Sequence, residues 1–218
     1  MEFQYASDQG LLINFGDQIG IEVHRRVWKL LRALERDPLP GVWNLHPAYC
    51  SLLLRFNPCQ ADHAELERLV RERAAQLDSL ELPPARAVEI PVHYGGEFGP
   101  DLNSVAELHG LSAGEVVRLH SEAEYTVYFL GFVPGFAYLG GLPDVLNTPR
   151  RASPRTSVPA GSVGIGGNQT GVYPFSTPGG WQIIGKTPLK MFQAERETMS
   201  LLAIGDEVRF RPILPALA

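Results

Sequence analysis

Residues 124–143 read EYTVYFLGFVPGFAYLGGLP, residues 148–174 read TPRRASPRTSVPAGSVGIGGNQTGVYP, and residues 177–187 read TPGGWQIIGKT. Pro134, Pro143, Pro149, Pro154, Pro159, Pro174 and Pro178 rule out a helix through this stretch, because each lacks a backbone donor and fixes φ. The pairs Gly140–Gly141, Gly166–Gly167 and Gly179–Gly180 open backbone angles that other residues resist. Short apolar segments lie between these breaks. The pattern predicts many short strands joined by Gly/Pro turns, hence a closed or nearly closed barrel over the C-terminal part of the chain. Ordering such a stretch is costly, which marks it as the working face.

Outward from it, Val163–Ile165, Gly171–Tyr173, Trp181–Gly185, Leu189–Phe192 and Glu207–Arg211 read as strands. Ser112 with Glu115 forms a capping-box signal for a helix over 113–121, and Asp101 marks the start of another running to His109. Val88–Tyr94 reads as a strand, and Pro91 predicts that it lies at an edge. Leu82-Pro83-Pro84 is the linker signal. It divides the chain into an N-terminal domain over 1–85 and a barrel domain over 86–218. In the first, Gly10–Gly16, Val42–His46 and Tyr49–Phe56 read as strands. Residues 18–36 and 60–78 show apolar residues near the helical period. That β, α, β, β, α order, with Arg86–Val92 as a closing strand, predicts a small ferredoxin-like α/β sandwich. The fold class is therefore α+β.

The chain has 218 residues, is 44% hydrophobic and carries a net charge of −5, which argues against nucleic acid as a partner. No apolar run approaches the roughly 18 residues that span a bilayer. The start, MEFQYASD, lacks a basic segment followed by an apolar one, so no secretion signal is expected. Cys50 and Cys59 make neither a C-x-x-C pair nor a disulfide framework, so a reducing, cytoplasmic setting is expected.

Several segments bear on chemistry. Gly180–Thr187 fits the G-x-x-x-x-G-K-[ST] phosphate-loop pattern, but its four intervening residues are strand-like and Pro188 follows. A true phosphate loop needs free backbone amides and a following helix. The segment is read as a strand and its turn. Gly164–Gly171 is compatible with an anion-holding nest and with a plain tight loop. Arg150, Arg151 and Arg155 stand between prolines, a setting that could hold guanidinium groups for a carboxylate or phosphate; a solvated basic loop is the alternative. Phe129, Phe132, Phe136, Tyr138 and Tyr173 could line an apolar groove, or one face of them could be plain core. His120 ends a helix beside Glu122 and Glu124, where acid–base catalysis and a purely structural role both stand. His46, His93 and His109 have no partners at metal-ligand spacing, so no metal is expected. Ser, His and Asp are present without a nucleophile elbow.

Together PVHYGGEFGPDL (91–102), EVVRLHS (115–121), YFLGFVPGFAYLGGLP (128–143) and the two segments quoted above over 148–174 and 177–187 carry a family resemblance. The chain resembles the B subunits of 5-oxoprolinase, also called KipI-like proteins or allophanate hydrolase subunit 1. The likeness covers nearly all of it and is looser over residues 1–85. Lys186 and His93 depart from the family pattern. The resemblance implies a cyclophilin-like barrel for the C-terminal half. It also implies membership of a multi-subunit enzyme, with the C and A subunits of 5-oxoprolinase, that opens the lactam of 5-oxo-L-proline to L-glutamate and hydrolyses ATP. Phosphorylation of the amide oxygen would make the stable lactam labile. On this view Arg150, Arg155 and His120 serve catalysis, Gln169 and Thr170 contact substrate, Tyr138 and Trp181 shape the wall, and the site is shared with the C subunit. The alternative is a regulatory module whose groove grips a sensor histidine kinase. Allophanate hydrolysis itself is not expected, since the serine-rich signature of that chemistry is absent.

Overall fold

The computed structural model describes residues 1–213; residues 214–218 of the second predicted domain lie outside the described residues. One compact unit ends at Pro84 and the next begins at Ala85.

The first unit runs β1 (Glu2–Ser7), β2 (Gly10–Asn14), α1 (Ile21–Arg36), β3 (Val42–Pro47), β4 (Ser51–Phe56), α2 (His63–Ala74). Its sheet has the order β1-β2-β4-β3, and every neighbouring pair is antiparallel. In α1, Val27, Trp28, Leu30, Leu31 and Leu34 recur at helical spacing and are buried. Pro38 prevents continuation past Asp37. Asp62 caps α2, its carboxylate accepting the Glu65 amide at 2.8 Å. The chain thus forms two successive ββα units, and the ferredoxin-like order is not what it adopts. The sequence pattern hid β1 because nearly all of its residues are exposed, which leaves no alternation to detect. The strand over Arg86–Val92, expected to close this sheet, belongs to the second unit.

The second unit contains β5 (Ala87–Tyr94), α3 (Leu102–His109), α4 (Ala113–Glu122), β6 (Tyr125–Leu130), β7 (Ala137–Gly140), β8 (Arg155–Val158), β9 (Ser162–Ile165), β10 (Thr170–Val172), β11 (Thr177–Gly179), β12 (Gln182–Lys186) and β13 (Glu207–Pro212). Seven of these strands close a barrel in the order β10-β7-β6-β13-β5-β12-β9, while β8 and β11 form a separate ribbon. Ile90, Val92, Leu139, Ile165, Ile184 and Phe210 fill the barrel core with no exposed surface. The capping box of α4 is complete: Ser112 and Glu115 satisfy each other's amides.

Two expectations need correction. β5 is not an edge strand; it pairs in parallel with β13 and antiparallel with β12. Pro91 is tolerated because β12 reaches only His93 and Tyr94, so no second ladder meets the missing donor. Leu189–Phe192 is not a strand. The barrel is already closed around β12, which leaves no free edge, and Phe192 makes only an isolated bridge to Ser200. The phosphate-loop look-alike, Gly180–Thr187, is β12 with its flanking residues. There the Ile183 amide is held by the Asp101 carboxylate at 2.6 Å and the Thr187 amide by the Gly161 carbonyl at 2.9 Å. Amides committed in this way cannot wrap a phosphate. No helix among the described residues is long and apolar enough to cross a membrane.

Candidate functional site

The strands β7, β10 and β12 end at a cluster of rings. Phe136 sits at its centre, edge-on to Phe132, Tyr138, Tyr173 and Trp181 at centroid distances of 5.6, 4.9, 5.3 and 5.5 Å. Edge-to-face geometry at these spacings suits the ring quadrupoles. Gly179 lets the chain pass over Tyr173, because a Cβ there would fall 2.5 Å from the phenol oxygen. The rings enclose one side of a cavity of about 260 Å³, which is closed by Arg150, Pro154, Pro178, Gly179 and Gly180.

The three arginines divide their duties. Asp101 is 5% exposed and stands at the start of α3, yet makes no cap bond to that helix. Its carboxylate turns instead to Arg155 at 2.8 Å, Arg151 at 3.1 Å and the Ile183 amide. The loop is further tied to β12 and the chain entering it by Arg151 N–H to the Gly180 carbonyl at 2.7 Å and by the Gln182 side-chain Nε2–H to the Pro149 carbonyl at 3.1 Å. Arg150 is exposed, lines the cavity and has no carboxylate partner among the described residues. Between Asp144 and Glu195 the sequence holds no acidic residue at all, so the surplus cation is not neutralised locally. Burial raises the Tyr138 and Tyr173 phenols above their ordinary pKa, with the Arg150 guanidinium pulling the other way. The cavity therefore offers flat apolar walls and one fork-shaped cation, which suits a small planar ligand carrying a carboxylate.

Of the predicted residues, Arg150, Tyr138 and Trp181 meet at this cavity. Arg155 is a neighbour committed to Asp101. Gln169, Thr170 and His120 do not line it. The glycine loop is the plain tight loop: the Gly166 amide bonds the Gln169 carbonyl and the Gly167 amide bonds the Thr148 carbonyl, so neither is free for an anion. The sequence pattern hides the role of Asp101, because its place before a helix reads as a cap. The signal that could find it is the acid-free run around three arginines, which must meet a carboxylate from elsewhere in the chain.

His120 is wholly buried among Tyr94, Tyr125 and Phe210. Thr170 donates its hydroxyl to the Gly164 carbonyl at 3.0 Å, so its oxygen accepts from His120 Nε2–H at 2.9 Å. Nδ1 then accepts from the Tyr94 hydroxyl at 2.7 Å. Every donor is used with the ring neutral, and burial pushes its pKa down to about 3. A group so held neither reaches substrate nor exchanges protons near neutrality; His120 is a core residue. His24, buried in the first unit, is pushed down to about 4 by burial and then by Arg25. Both depressed values have one sign: the unfolded chain takes up a proton near pH 6.5 and the folded chain does not. Stability is complete above that pH and falls as pH drops toward 4 and 3. Each unit should lose about 2 kcal/mol between pH 7 and pH 5, read by urea titration at the two pH values.

Residues 1–202 match the family model described as carboxyltransferase domain, subdomain C and D. The chain is 47% identical over 212 residues to the B subunit of 5-oxoprolinase from Escherichia coli O157:H7, spanning 94% of this chain and 93% of that one. The chain belongs to the family of 5-oxoprolinase B subunits. The Bacillus subtilis member is 43% identical over 219 residues, 96% of this chain and 91% of its own. In solved structures, the crystal structure of TTHA0988 superposes with a TM-score of 0.82 at 40% identity. The match takes in 95% of this chain and 40% of that longer one. Members of the family are thus subunits by name, and the fold also occurs inside a longer polypeptide.

Proposed function

We propose that this chain is the B subunit of an ATP-dependent 5-oxoprolinase and that the Arg150 cavity holds 5-oxo-L-proline. The observation that carries the reading is near-full-length identity of 43–47% to subunits of that name. The cavity agrees with it in chemistry: a planar lactam against Phe136, Tyr138 and Trp181, and its carboxylate on the Arg150 fork. A cation mounted on the Pro149–Pro154 loop orients the ring so that its amide faces outward, toward a second subunit that completes the site. The C and A subunits of 5-oxoprolinase are the proposed partners, and the barrel is proposed to be of the cyclophilin-like kind.

ATP is proposed as a co-substrate of the complex. This chain's glycine segments do not suit its phosphates, since β12 and the Gly166–Gly167 turn have their amides engaged. What this chain supplies is binding, orientation and exclusion of water around the lactam.

The test is co-expression with the C and A subunits, co-purification, and an assay for L-glutamate from 5-oxo-L-proline plus ATP. Glutamate release that needs this chain and ATP is the expected result. No release, together with inhibition of histidine-kinase autophosphorylation by the chain alone, would replace the reading with the regulatory one.

A further inference from the structure

Phe132 is the only residue other than glycine with a positive φ among the described residues, at 67°. The Val133 amide bonds the Gly131 carbonyl at 2.8 Å, closing a three-residue turn on Phe132. A γ-turn with positive φ is the rare and strained hand, and a bulky side chain makes it more so. The turn cannot relax by sliding. Its far end is pinned where Gly135, with φ of 81°, packs against Phe192 and the Met191 carbonyl, and the Gly131 amide returns to the Phe136 carbonyl at 3.1 Å. Glycine stands on one side of the strained position and again three residues on, but phenylalanine occupies the position itself. Phe132 is 60% exposed, so core packing does not account for it. The ring does line the cavity, edge-on to Phe136. Strain held by an exposed aromatic at the rim of a ligand cavity is a feature that function explains better than stability.

We infer that Phe132 is a specificity-determining residue that covers the Arg150 cavity and reads the flat, uncharged lactam ring of the ligand. This rests on the functional reading above. Arg150 alone accepts any small carboxylate. An aromatic face across the cavity favours a planar amide ring over a puckered ring or open chain of the same charge. L-proline, with its charged ring nitrogen, and L-glutamate are therefore the ligands to be refused.

The experiment uses the co-purified complex with Phe132→Ala, Phe132→Gly and Phe132→Tyr. Calorimetry gives the affinity for 5-oxo-L-proline, and competition gives that for L-proline. Both truncations should bind 5-oxo-L-proline about tenfold more weakly while L-proline is unchanged, and Phe132→Tyr should keep the wild-type ratio. Ala and Gly lose the same ring, so their difference in melting temperature reads the backbone alone. The Gly variant should melt higher, opposite to the usual order. Unchanged affinity in both truncations, or an Ala variant melting at or above the Gly variant, would overturn the inference. So would loss of co-purification in the truncations, which would make the ring a docking anchor. Absence of 5-oxo-L-proline binding by the wild-type complex would take down the functional reading itself, a result none of the variants can mimic.

Discussion

Arg150→Ala should raise the KM of the assembled complex for 5-oxo-L-proline by about two orders of magnitude and leave kcat within a few-fold. Removing one partner of a buried, charged, hydrogen-bonded pair costs about 2–5 kcal/mol, and the exposure of Arg150 places its loss at the lower end. The substrate carboxylate takes no part in breaking the lactam C–N bond, so its contact is uniform across ground and transition states and appears in KM. Arg150→Lys keeps the charge without the bidentate fork and falls between the two. Arg155→Ala is the control. Arg155 is held by Asp101 and does not line the cavity, so its loss moves stability more than KM. Steady-state kinetics on the three co-purified variants checks the order. Equal KM effects from Arg150→Ala and Arg155→Ala would mean that the loop acts as one basic patch.

Asp101→Ala should destabilise the second unit by about 3 kcal/mol, a drop of roughly 10 °C in its melting temperature. One carboxylate holds two guanidinium groups and a backbone amide of β12, and its removal strands all three. The arginines are partly exposed, at 37% and 24% of their side chains, so water recovers part of the loss and the lower end of the usual range applies. Asp101→Asn still accepts from the Ile183 amide and loses less. Because the arginine loop is tied to β12 beside Trp181, the Ala variant also loosens the cavity wall. Its KM rises even at temperatures where it is fully folded. Differential scanning calorimetry with kinetics at a low temperature separates the two effects. A stable Asp101→Ala variant with wild-type KM would show that the knot is dispensable.

Much of this is legible in the sequence, and the exceptions have physical causes. The barrel is readable because Gly and Pro cut the C-terminal chain into strand-length apolar pieces. The aromatic wall and Arg150 are readable because rings and cations are concentrated in an acid-free run. The parallel partner of β5 is not, since pairing across more than a hundred residues leaves no local pattern. Pro91 points to an edge for a sound reason, and only the short reach of β12 shows why a closed barrel tolerates it. His120 next to two glutamates looks like chemistry. Burial decides otherwise, and burial depends on Tyr94, Thr170 and Phe210, which come from three distant strands. Asp101 illustrates the same limit. A helix-start aspartate normally caps, and nothing local tells that its carboxylate turns toward arginines some fifty residues away.

A thermodynamic cycle isolates the contact proposed between Arg150 and the substrate carboxylate. Affinity is measured for 5-oxo-L-proline and for its carboxamide, in wild-type complex and in Arg150→Ala. The wild type should prefer the carboxylate by at least about tenfold, and the variant should bind the two alike. A variant that still prefers the carboxylate as strongly as the wild type would place that group on another residue and contradict the account.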